Sequence, residues 1–309
     1  MRILFMGTPD IAAVALRAMI KENMEIVGVV TQPDKPRGRK QILTPPEAKE
    51  AAMEAGIPVF QPEKVKNGEL MPVLEELKPD LIAVVAYGKI LPDHILDYPK
   101  YGCVNMHGSI LPEYRGAAPI QWSVIDGKKV TGVTTQKMAQ GVDTGDILMT
   151  ETIEIGEYET SGELFDRMAV LGAKVLIETI NNIENITPVP QEHEKATHAP
   201  MITKEMAQID WNKSAGVISK LICGMNPWPI AHTLYNGEVM KVYKAKVVEG
   251  NPQAENGEIL GFDKACGLKV KCAEGCLAIE EIQFPGSKRM SVEDYLRGHS
   301  LDSGVILGR

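Results

Sequence analysis

One stretch, residues 102–119, concentrates side chains able to do acid–base or oxyanion chemistry; it runs Gly102-Cys103-Val104-Asn105-Met106-His107-Gly108-Ser109 and continues to Pro119. In an extended strand successive side chains alternate, so Cys103, Asn105 and His107 point to one face. Gly108-Ser109 then ends the strand. In an open α/β sheet the carboxyl ends of the strands border the ligand crevice, which puts Asn105 and His107 at its mouth. An amide donor beside an imidazole can bind a carbonyl oxygen and manage a proton, as acyl transfer requires. Taken alone, Asn-x-His is also the pattern of a structural histidine hydrogen-bonded at a strand end.

A second cluster, Gly141-Val142-Asp143-Thr144-Gly145-Asp146, sets a carboxylate between two glycines in a loop that can approach a substrate closely. An aspartate buried against His107 would orient the ring and favour its charged form. The plainer reading is an Asp-rich turn. Lys35-Pro36-Arg37-Gly38-Arg39-Lys40 carries four cations in six residues with no acid. It reads either as a solvated charged loop or as a finger that grips phosphate. Gly7-Thr8-Pro9-Asp10 follows the first strand but lacks the G-x-G-x-x-G spacing of a dinucleotide loop, so it reads as a tight strand-to-helix turn. Cys266, Cys272 and Cys276 match no zinc spacing, and no metal is expected.

The elements that must position these groups alternate. Apolar runs at Ile3–Met6, Ile26–Thr31, Val59–Phe60, Leu81–Ala86 and Val104–Met106 read as strands. Amphipathic stretches at Ile11–Lys21, Pro46–Ala55, Glu69–Leu77 and Pro92–Leu96 read as helices between them. Further helices are expected at Gly116–Ile125 and Gly162–Asn182, with strands near Gly132–Lys137 and Asp146–Thr150. The expected fold class is therefore α/β, a doubly wound, mostly parallel Rossmann-like sheet spanning 1–187. Residues 188–207 lose all periodicity and read as a linker. From 208 to 309 comes one helix, Ser214–Cys223, and then about five short strands, which suit a small OB-like β-barrel.

Composition bounds the function. The chain has 309 residues, 44% hydrophobic and 24% charged, the balance of a soluble globular protein. No apolar run approaches the roughly 18 residues of a membrane span, and Asp10 interrupts any signal-peptide core, so a cytoplasmic location is expected. Five cysteines fit reduced thiols. Net charge is −8; residues 200–309 hold 13 basic and 13 acidic side chains, so the deficit lies wholly in 1–199. Bulk charge argues against a polyanionic partner, and local patches must meet one if it exists.

Taken together, these segments resemble the folate-dependent formyltransferases. Asn105-Met106-His107-Gly108-Ser109-Ile110-Leu111-Pro112 is similar to the family's Asn-x-His-x-Ser-x-Leu-Pro signature, and it continues into Tyr114-Arg115-Gly116-Ala117-Ala118-Pro119-Ile120-Gln121-Trp122. Asp143 in Gly-Val-Asp-Thr-Gly-Asp occupies the family's aspartate position. The resemblance covers essentially the whole chain, including Met6-Gly7-Thr8-Pro9, Ile209-Asp210-Trp211 and Asn226-Pro227-Trp228-Pro229.

The resemblance implies transfer of a formyl group from 10-formyltetrahydrofolate to the α-amine of methionyl initiator tRNA. It implies catalytic roles for Asn105, His107 and Asp143, with the choice of general base between His107 and Asp143 left open. It places folate around Ser109, Ile110, Leu111 and Pro112, and the pterin near loops 85–91 and 137–143, with Tyr87, Gly88 and Ile90 as contacts. Lys35, Arg37, Arg39 and Lys40 match the insertion that grips the tRNA acceptor arm, and the C-terminal barrel would contact more tRNA backbone. The chain would act as a monomer. One departure is Cys223, where family members commonly carry Arg, which leaves that tRNA contact unassigned. Two rival readings remain: the same folate chemistry on a small amine, and a non-catalytic tRNA-binding protein on a retired scaffold.

Overall fold

The computed structural model describes residues 1–38, 41–250 and 253–309. They form two compact units: one comprises Met1–Pro119, Thr131–Ile153 and Phe165–Ala199, the other Ile120–Val130, Glu154–Leu164 and Pro200–Arg309.

The first unit is built on a seven-stranded sheet: β1 (Ile3–Gly7), β2 (Ile26–Val30), β3 (Val59–Phe60), β4 (Leu81–Val85), β5 (Cys103–His107), β6 (Val130–Lys137) and β7 (Asp146–Glu154). β1 and β4 are buried at every position, as the unbroken apolar runs ILFMG and LIAVV require of interior parallel strands covered on both faces. The spatial order is β7-β6-β5-β4-β1-β2-β3. β1 pairs in parallel with both β2 and β4, and β4 with β5. The chain thus winds outward in one direction from β1 and in the other from β4. Where these directions diverge, the loops after β1 and β4 part and leave a crevice at the carboxyl ends of the strands. β6 departs from the parallel pattern and runs antiparallel to β5.

Two packing facts hold this frame. A Cβ on Gly7 would lie 2.6 Å from Ala12 Cβ and 2.8 Å from the Val85 carbonyl oxygen, so only glycine lets the helix Asp10–Lys21 start this close to the sheet. On one face, Leu4, Met6, Ile82, Val84, Tyr87, Ile95 and Cys103 join a fully enclosed apolar cluster. Burying each large side chain there contributes roughly 1.5–3 kcal/mol. On the other face the helix Ser161–Asn181 lies against β5, close enough that a Cβ on Gly172 would fall 2.5 Å from Met106 Sδ.

In the second unit the helix Ala215–Gly224 starts at Ser214, whose hydroxyl accepts from the Val217 amide. The strands are β8 (His232–Tyr235), β9 (Glu238–Val248), β10 (Ile259–Asp263), β11 (Gly267–Lys271), β12 (Cys276–Gln283) and β13 (Met290–Ser291). They form one antiparallel sheet ordered β8-β9-β12-β11-β10, with β13 on β12. The strands expected from sequence form this sheet, which is not a closed barrel: among the described residues no ladder joins β8 to β10. Each outer strand is instead covered by irregular chain, β8 through a bridge from Gln208 to His232 and β10 through the Ile259 amide bonded to the Val305 carbonyl. Covering an edge in this way removes the drive to close the sheet.

Candidate active site

β5 carries the site. Its Asn105 lies opposite Gln136 of β6, and His107 opposite Thr134, so these polar side chains stand together on the reversed strand pair. Cys103, on the same face but deeper, packs into the apolar cluster, and burial pushes its thiol up to about 12. It is therefore no nucleophile. The Asn105 amide is half-buried and has no hydrogen-bond partner among the described residues.

His107 is 6% exposed, hydrogen-bonded at one ring nitrogen and facing a carboxylate with the other. Nε2 lies 2.9 Å from the Tyr114 carbonyl oxygen, and since a carbonyl only accepts, Nε2 carries a hydrogen. Nδ1 faces Asp143 Oδ1 at 3.5 Å, an ion-pair distance longer than a hydrogen bond. Asp143 stays a carboxylate acceptor on both sides: Oδ2 takes the Gly116 amide at 2.9 Å and Oδ1 the Gln136 Nε2 at 3.0 Å. The loop that brings it back over β5 tolerates no side chain at Gly145, where a Cβ would lie 1.9 Å from the Lys137 carbonyl oxygen.

Several residues that hold these groups escaped sequence reasoning. Gln136 completes its amide by accepting from the Gly145 amide at 3.1 Å. Gln191 donates to the Asp143 and Gly145 carbonyls and accepts from Arg115. The Tyr114 amide bonds Thr197 Oγ1 at 2.8 Å, and Arg115–Gly116 pairs in parallel with His198–Ala199. Part of the segment read as a linker thus belongs to the walls of the site. Nothing local marks it, because its order comes from partners distant in sequence. Gln136 was findable: it stands on the strand next to Asn105, seven positions before Asp143.

The other expected contacts are placed unevenly. Ser109 is fully buried, its hydroxyl bonded to the Glu113 carbonyl at 2.6 Å, and the Leu111 amide bonds Thr134 Oγ1. Ile110 and Pro112 are half-buried beside them. The Tyr87 side chain enters the core, where burial pushes its phenol up to about 12; its carbonyl accepts from Thr8 Oγ1 and Gln32 Nε2. Gly88, at φ 79°, holds the left-handed conformation that favours glycine, and a Cβ there would press on the end of the Gln32 side chain, 2.5 Å away. Ile90 is 63% exposed. The basic stretch expected as a loop begins as a ribbon, Lys35–Arg37 antiparallel to Ile42–Thr44, with Lys35 Nζ bonded to Gln32 Oε1. Arg39, Lys40 and the Arg37 side chain lie outside the described residues. Cys223 is buried, and burial raises its thiol.

An amide donor and a carboxylate-backed imidazole at the rim of a Rossmann-like crevice narrow the chemistry but not the lineage, which comparison with known proteins decides. Residues 1–180 match the formyl transferase family and residues 201–300 the formyl transferase C-terminal domain. The chain belongs to the formyl transferase family. It is 51% identical over 310 residues to the methionyl-tRNA formyltransferase of Alkaliphilus oremlandii and 50% identical over 312 residues to that of Acetivibrio thermocellus, covering 100% of each chain and of itself. Among solved structures, HypX from Aquifex aeolicus in complex with tetrahydrofolic acid matches with TM-score 0.63 at 16% identity, over 98% of this chain and 50% of that one. That match supports the formyl transferase fold alone. No helix among the described residues is long and apolar enough to cross a membrane.

Proposed function

We propose that this formyl transferase moves the formyl group of 10-formyltetrahydrofolate to the α-amino group of methionyl initiator tRNA, giving N-formylmethionyl-tRNA for translation initiation. The observation that carries the reading is the pairing of an unpartnered Asn105 amide with a His107 ring backed by Asp143 on one strand face. End-to-end similarity to methionyl-tRNA formyltransferases supports the choice of acceptor.

Attack of the uncharged amine on the formyl carbon forms one C–N bond and breaks another, with a proton passing from the amine to the folate N10. Negative charge develops on the formyl oxygen. Asn105 and His107, two residues apart on one face, donate to that oxygen; the loose Nδ1 contact leaves the ring free to turn a hydrogen toward it. Asp143 stabilises the charged ring and relays the amine proton. Ile110, Pro112, the Ser109 and Leu111 backbone, and the loop bearing Tyr87, Gly88 and Ile90 form the folate wall.

Lys35, Arg37, Arg39 and Lys40 grip the acceptor arm, and the C-terminal sheet meets further tRNA backbone. The protein works as a cytoplasmic monomer. With a net charge of −8, affinity for tRNA rests on few phosphate contacts. Replacing Arg37, Arg39 and Lys40 together by alanine is expected to raise KM for tRNA and to lower the salt slope by about one unit for each cation that meets a phosphate; an unchanged slope would remove the finger from the tRNA interface.

The reading is tested by incubating labelled 10-formyltetrahydrofolate with methionyl initiator tRNA. Formylmethionyl-tRNA is the expected product. Folate binding without that product, followed by label transfer to a small amine such as an amino sugar nucleotide, would replace the acceptor. Binding of tRNA with no transfer to any amine would point to a retired scaffold.

A further inference from the structure

Gln191 joins the two loops that hold the catalytic histidine. Its Nε2 donates to the Asp143 carbonyl at 3.0 Å and to the Gly145 carbonyl at 2.6 Å. Its Oε1 accepts from Arg115 Nε at 3.1 Å and Arg115 Nη2 at 2.6 Å. The side chain is 6% exposed, so these four bonds use the amide's full capacity with no water to replace them.

What it joins is strained. Asp143 sits at φ 53° and Tyr114 at φ 57°, the left-handed region that costs a side-chain-bearing residue roughly 1–2 kcal/mol. These two residues supply the acceptors of the His107 ring: the Asp143 carboxylate at Nδ1 and the Tyr114 carbonyl at Nε2. Without the Gln191 amide, only the Gly116 and Gln136 donors to its carboxylate, among the described residues, oppose relaxation of the Asp143 backbone from this strained region. Gln136 holds the carboxylate, the carboxylate itself accepts from the Gly116 amide across the two loops, and Thr197 holds the Tyr114 amide; Gln191 adds bonds to the backbone of one loop and to Arg115 of the other from a third segment.

We infer that Gln191 is a positioning residue for formyl transfer, acting through Asp143 by holding its loop against the Tyr114–Gly116 loop. This role rests on the formyl-transfer reading given above. Misplacing a reacting group by about 1 Å costs on the order of 100-fold in rate.

The test is a double-mutant cycle on the full chain with initiator tRNA, reading kcat, KM for tRNA, and folate affinity by equilibrium dialysis. Gln191→Ala removes the clamp. Gln191→Glu keeps the acceptor for Arg115 and removes the donors to Asp143 and Gly145. Both are expected to lower kcat by about 10–100-fold with folate affinity unchanged. In an Asp143→Asn background the same changes should cost no more than about twofold, because the group being positioned no longer carries its charge. Equal decreases in both backgrounds, or folate affinity falling in step with kcat, would overturn the role in favour of a general structural one. If Gln191→Ala does not fold, Gln191→Glu decides; failure of both to fold would likewise make the residue structural. Absence of turnover in the parent protein would overturn the formyl-transfer reading itself, whereas turnover in the parent with unimpaired Gln191 variants would overturn the inference alone.

Discussion

Replacing His107 by alanine is expected to lower kcat for formyl transfer by about 10²–10⁴-fold, the range a positioned proton-handling group supplies. The ring is hydrogen-bonded at Nε2, faces Asp143 at Nδ1 and is almost enclosed, so its removal acts in two places. At the proposed reacting oxygen it deletes a donor. In the protein it leaves the Tyr114 carbonyl without this partner and Asp143 without its counter-charge. Asp143 keeps the Gly116 and Gln136 donors, so the lost contacts cost roughly 1–3 kcal/mol of stability rather than the fold. A thermal melt beside the rate measurement separates the two effects. Retained tRNA and folate binding without turnover is the expected pattern. A rate within threefold of the parent, an arbitrary but strict mark of about 0.7 kcal/mol in barrier, would remove His107 from the chemistry.

The Asn105→Ala variant is expected to fall about 10²–10³-fold in kcat, the cost of deleting one oxyanion donor. It is the cleaner of the two experiments. The Asn105 amide binds no other group among the described residues, so nothing in the protein is orphaned by its removal, and stability should stay within about 0.5 kcal/mol. A change in kcat with KM for both substrates intact assigns the amide to the transition state. A rise in KM for folate with kcat unchanged would make Asn105 a binding contact instead. The contrast with His107 is informative in itself: a histidine at a strand end can be structural, but an unpartnered, half-buried amide has no structural work to lose.

The reach of sequence reasoning differs between the strand and the loops around it. The alternation in Cys103-Val104-Asn105-Met106-His107 put Asn105 and His107 on one face, and β5 has that span. Asp143 between two glycines read as a loop that can approach a substrate closely, whereas its 3.5 Å contact with His107 is tertiary. The apolar runs of β1 and β4 announced interior parallel strands because strands buried on both faces admit no polar alternation. These are local properties, set by side-chain period and by apolar surface, and the sequence by itself determined them.

Only the tertiary structure decided the reversal of β6, the open sheet of the second unit, and the recruitment of residues 191–199 to the site. Each depends on hydrogen-bond partners far along the chain. Gln191 meets Asp143 across 48 positions, and Thr197 meets Tyr114 across 83. A polar side chain buried against distant backbone has the same local pattern as one in solvent, since the bonds that hold it exist only after the chain has closed around it. Residues 188–207 therefore read as a linker, while the fold uses part of them to hold Asp143 and Tyr114 in backbone conformations that neither would adopt alone.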